Sequence, residues 1–93
     1  MSEIRVCGIT YQIVEKTSEE MSGTLGLADF NTQIISINRD YSNQTKKIAR
    51  WHETLHILSS AYNIKLTEDQ VVMLTHAFVA LLEDNKNIVE QFK

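Results

Sequence analysis

A chain of 93 residues, 43% of them hydrophobic and none of them proline, is long enough for one modest core and leaves little room for a second domain. Its net charge of −3 is spread along the sequence, which argues against a nucleic-acid-binding face; the local basic cluster of Arg39, Lys46, Lys47 and Arg50 reads as a solvated helix face. Cys7 is the single cysteine, so no disulfide can form within the chain and a reducing, cytoplasmic setting is expected. Residues 1–5 lack a basic region followed by an apolar run, and the longest apolar stretch, 71–82, is too short for a span, so neither a signal peptide nor a membrane segment is expected.

Residues 3–7 and 9–14 are rich in β-branched and aromatic side chains and are separated near Gly8, which predicts two strands or one bent strand. Residues 17–26 are polar, contain Gly23 and Gly26, and read as a loop. Residues 25–30 and 33–37 flank Asn31 and Thr32 and predict a hairpin, with Ile35 and Ile37 on one face and Ile34 and Ser36 on the other. From Ser42 or Asn43, either of which can cap a helix, the period changes. Trp51, Leu55, Leu58 and Tyr62 then recur as a stripe expected to face the core, and the helix is expected to end near Tyr62 and Asn63. Thr67 and Gln70 match a capping box for a second helix, whose Val71, Val72, Thr75, Phe78, Val79 and Leu82 share one side and which ends near residues 83–85. A short third helix is predicted over 86–92. Strands followed by helices make an α+β domain, here a small antiparallel sheet, two main helices and a short C-terminal one.

The chemistry concentrates in His52-Glu53-Thr54-Leu55-His56. Histidines at i and i+4 share a helix face, so both rings can reach one tetrahedral ion, and two histidines with an adjoining glutamate in this spacing are a zinc hydrolase signature. Glu53 lies about 100° round the helix from His52, away from the ligand face but able to face a water at the metal, where a general base belongs. A catalytic zinc usually has three protein ligands, so one must come from elsewhere. Glu68, in the first turn of the second helix, lies at the centre of the face formed by Val72, Thr75 and Val79; the helix dipole alone also favours an acid there. His76, two turns on, is the other candidate, and could equally donate to an oxyanion or be a hydrogen-bonded residue at the edge of the core. Tyr62 is expected to pack with Trp51 and Leu58, with a role as oxyanion donor the lesser alternative.

The run from Gln33-Ile34-Ile35-Ser36-Ile37-Asn38 through Ile48-Ala49-Arg50-Trp51 to the His52–His56 motif resembles the ImmA/IrrE group of metallopeptidases. In that family a strand precedes the zinc helix, and the following helix brings a glutamate ligand with small or apolar residues three, six and seven positions later; Glu68, Val71, Leu74 and Thr75 fit that spacing. The chain is more similar still to small stand-alone phage or prophage proteins of this type, through Leu74-Thr75-His76-Ala77-Phe78 to Leu82-Glu83-Asp84-Asn85. It departs in having Val71-Val72 where the family usually has Ala-Asn, and in a shorter gap between His56 and Glu68 than in larger members.

The resemblance implies a minimal zincin-like fold in which His52, His56 and Glu68 hold zinc and Glu53 activates water to hydrolyse a peptide bond in a cytoplasmic protein. It further implies that the edge of the last strand, 33–37, aligns an extended substrate. The rival expectation is a non-catalytic phage or prophage interaction module with a structural or vestigial metal site, since a small core often needs a staple.

Overall fold

The computed structural model describes residues 2–92. Four strands, β1 (Ser2–Val6), β2 (Ile9–Lys16), β3 (Gly26–Asp29) and β4 (Ile34–Asn38), precede helices α1 (Asn43–Ala61) and α2 (Glu68–Asp84), and a 3₁₀ turn, Ile88–Phe92, closes the chain. The fold is therefore α+β, with the elements in the expected order. β1 and β2 form a hairpin because Cys7 and Gly8 both take positive φ, 50° and 80°, the conformation that a two-residue turn matched to strand twist requires. Residues 30–33 turn β3 into β4, and there the Asp29 carboxylate accepts the Asn31 and Thr32 amides at 2.9 and 3.2 Å. Those amide donors, Thr32 first, hold the Asp29 carboxyl below the usual carboxylate range.

The expected antiparallel sheet is corrected to a mixed one, with strand order β1-β2-β4-β3 and β4 running parallel to β2. The reason lies in β4 itself. Ile35, Ser36, Ile37 and Asn38 are all buried, so both faces of the strand are covered and it takes an inner position, leaving β3 outside. Reaching that position requires the chain to cross from the end of β2, and Asn38 ties the crossing segment down. Its amide donates to the Thr24 carbonyl at 3.0 Å and to Ser18 Oγ at 3.2 Å, while its oxygen accepts the Asp40 amide at 3.0 Å. The sequence periodicity carries no trace of these contacts. The strand over 33–37 is consequently not an edge; on this side of the sheet the edge is β3.

Ala49 and Ile57 of α1, with half-buried Leu58, pack on Val6, Tyr11, Ile13, Ile35 and Ile37 of the sheet. The predicted stripe of Trp51, Leu55, Leu58 and Tyr62 is thus displaced, because α1 serves two neighbours. One side meets the sheet, while Trp51 meets α2 through an edge-on contact with Phe78, ring centroids 5.1 Å apart. Tyr62 caps the helix and is 65% exposed, packing with neither Trp51 nor the site. Its hydroxyl pKa is raised by the neighbouring Cys7 thiol. In α2, Val71, Thr75 and Val79 are buried as predicted, whereas Val72 stays partly exposed. Among the described residues no helix is long and apolar enough to cross a membrane.

Ile35 is fully buried at the centre of the sheet. Ile35→Ala is expected to cost about 2–5 kcal/mol in urea unfolding, whereas truncating exposed Met73 should change stability by less than about 0.5 kcal/mol.

Candidate metal centre

The pitch of α1 stacks His52 and His56 on one face, with ring centroids 4.8 Å apart and the two Nε2 atoms separated by 3.2 Å. What they face is decided by how α1 stops. Asn63 takes φ 55°, and its amide returns to the Ser60 carbonyl while the Ile64 amide returns to Ser59, the bond pair of a Schellman stop. A few residues later Thr67 caps α2 through the reciprocal bonds of a capping box with Gln70, at 3.1 and 2.9 Å. The two helices run antiparallel, Lys47 meeting Glu83 and Trp51 meeting Phe78 farther along. Glu68, the first residue of α2, thereby comes back onto the histidine face.

One carboxylate oxygen of Glu68 lies 2.8 Å from His52 Nε2 and the other 3.2 Å from His56 Nε2. One potential ligand atom from each of these three residues falls within 4.8 Å of the others. The Glu68 side chain is 65% exposed yet turned to both rings, which are far less so, at 20% and 34%. Two imidazoles and one carboxylate, with no thiolate and too few oxygens for calcium, fit a tetrahedral transition-metal cation with one position left for water or substrate. His76 is not part of this group; it lies on α2 at the wall of the adjoining cavity.

Glu53 stands between the histidines and the edge strand. Burial pushes its carboxyl pKa up; His52, His56 and the Ala28 amide pull it part of the way back, and the Glu68 charge raises it further. The space it occupies exists because residue 26 is glycine. A Cβ there would come within 3.2 Å of Glu53 Cγ and 3.4 Å of its Oε2. Gly26 falls where the expected loop over 17–26 and the expected strand over 25–30 overlap, and a lone glycine entering an apolar strand is the sequence signal for close approach of another group. The Asn38 amide donates to the Leu25 carbonyl at 2.9 Å, so Leu25 and Leu27 direct their peptide groups at β4 while Gly26 and Ala28 direct theirs to the free edge, on the alternation of an antiparallel pair.

These groups open on a cavity of about 460 Å³ whose walls include Leu25, Gly26, Ile48, Val72, Thr75 and His76. A larger open groove, about 980 Å³, lies on the opposite side of α1 and contains none of the candidate ligands. Comparison of the chain with protein-family models, curated proteins and solved structures gives no match.

Glu68→Ala should weaken binding of added zinc by more than the roughly 10–100-fold typical of losing a group that only supports a ligand. His76→Ala should change it by no more than a few fold, both read by competition with a chromophoric chelator. The reverse order would move the third ligand to His76.

Proposed function

We propose that the protein is a zinc-dependent peptidase of the ImmA/IrrE-like kind, with His52, His56 and Glu68 as the metal ligands and Glu53 as general base. The observation that carries this reading is the convergence of Glu68 from a second helix onto both histidines, with a carboxylate of raised pKa beside them. Bound there, zinc supplies a Lewis acid for the substrate carbonyl and makes an attacking water more acidic.

The remaining work falls to the chain's own groups. Glu53 takes the proton from the attacking water and returns it to the departing amide nitrogen, a double duty suited to a carboxyl that burial holds above its usual pKa. An extended peptide pairs with the outward peptide group of Gly26 and the outward carbonyl of Ala28 on β3, and so passes directly beside Glu53, which holds the Ala28 amide. β3, in place of β4, thus takes over the aligning role expected of the last strand. The substrate class is a cytoplasmic protein with an accessible extended segment.

One zinc per chain is expected by elemental analysis of protein prepared without added metal or chelator, with a lower melting temperature once the ion is stripped, because the metal binds the folded state. Protein that carries no zinc and shows no thermal shift on adding it would end the metal reading.

Glu53→Gln should keep both zinc and fold yet reduce cleavage of a mixed peptide library, read by mass spectrometry, by about 10²-fold or more. Cleavage at the wild-type rate would remove Glu53 from the mechanism. Zinc-dependent stability without any cleavage by the wild type would favour the interaction module instead.

A further inference from the structure

We propose that the cavity beside the histidine–glutamate cluster is a side-chain subsite selecting an aliphatic residue next to the scissile bond, an inference that rests on the peptidase reading. Its basis is the antiparallel arrangement of α1 and α2. Ile48 lies four residues before His52, and Val72 four residues after Glu68. Because the helices run in opposite directions, both steps lead the same way from the cluster, by one helical turn or about 6 Å. Ile48 and Val72 therefore form opposing walls of one cavity, and Leu25 and Gly26 form its sheet side. Thr45, Thr75 and His76, about another turn on, mark its far end.

The walls decide what fits. Between the cluster and His76 at the far end, the lining holds no carboxylate, lysine or arginine, so the middle of the cavity, walled by Ile48, Ala49 and Val72, offers a charged substrate side chain no counter-ion at the depth of one turn. A leucine, isoleucine, valine or methionine side chain instead meets aliphatic surface at the depth of one turn. Val72 carries particular weight. It is apolar and 38% exposed, while its neighbours on the same helix face, Val71 and Thr75, are fully buried. Its side chain contributes to the cavity more than to the core. Gly26 widens the same opening, since a side chain there would already crowd Glu53.

The test uses zinc-loaded full-length protein and the N-acetyl hydroxamates of leucine, aspartate and lysine, each of which can chelate zinc and offer a different side chain. Dissociation constants come from calorimetry, and methyl chemical shifts of Ile48 and Val72 report where the side chain sits. The leucine compound should bind at least about tenfold more tightly than the other two, the discrimination that a small apolar group commonly gives, and should move both methyl signals. Val72→Lys should shift the preference toward the aspartate compound. Val72→Thr, which keeps the shape and adds a hydroxyl, should narrow the gap between leucine and aspartate and serves if the lysine variant does not fold. Equal binding of all three compounds with zinc retained, or leucine binding that leaves Ile48 and Val72 unmoved, would overturn the subsite while leaving the metal centre standing. Failure to take up zinc would remove the peptidase reading and the subsite with it.

Discussion

The site depends above all on the register between α1 and α2. Histidines one turn apart on α1 can present two nitrogens to the same point whatever surrounds them, but a carboxylate opposite requires the next helix to begin at a fixed place and heading. The link between the helices supplies both. Asn63 in the left-handed region stops α1 without leaving its last carbonyls bare, and the Thr67–Gln70 box sets where α2 starts. A shift of one residue at either end would turn Glu68 about 100° away from the rings.

The second organising element is the edge of the sheet. β4 is buried on both faces and held from either side, so the short β3 lies outermost, with the peptide groups of Gly26 and Ala28 turned to its outer margin. Glu53 lies against that margin, sheltered enough for its carboxyl pKa to rise and close enough to Ala28 for the amide to moderate the rise. Its environment thus comes from three elements: the helix that bears it, the glycine that makes room for it and the neighbouring carboxylate on α2. Burial alone would raise the carboxyl further; the two rings and the Ala28 amide are what limit the rise.

Much of this was legible in the sequence, for identifiable reasons. The His52–His56 spacing is a property of one helix and survives any tertiary arrangement, and the capping box at Thr67 is equally local; together they gave α1, α2 and the three candidate ligands. The β hairpins were marked by Gly8 and by the polar turn after Asp29. Long-range matters were hidden. Whether β4 pairs parallel or antiparallel with β2 depends on the path of residues 17–25, which is held by hydrogen bonds to one buried asparagine. The stripe through Trp51 and Tyr62 misled because α1 contacts both a sheet and a helix, so its apolar residues answer to two directions and a single moment averages them. Gly26 sits at the overlap of an expected loop and an expected strand, and nothing local reveals that a side chain from α1 lies against it.

The layering also bears on how the molecule comes apart. α2 has its main packing on α1, while the sheet and α1 share the principal core, so the outer helix can detach at a smaller free-energy cost than the rest. Its inner face offers only Val71, Thr75 and Val79 as fully buried anchors, and one of those is a threonine whose hydroxyl is already committed to its own helix. Glu68 crosses the seam to the histidines at the very end where α2 begins. A bond made there fastens the outer layer to α1 at that end, so the two halves of the site sit on opposite sides of the seam and hold it shut.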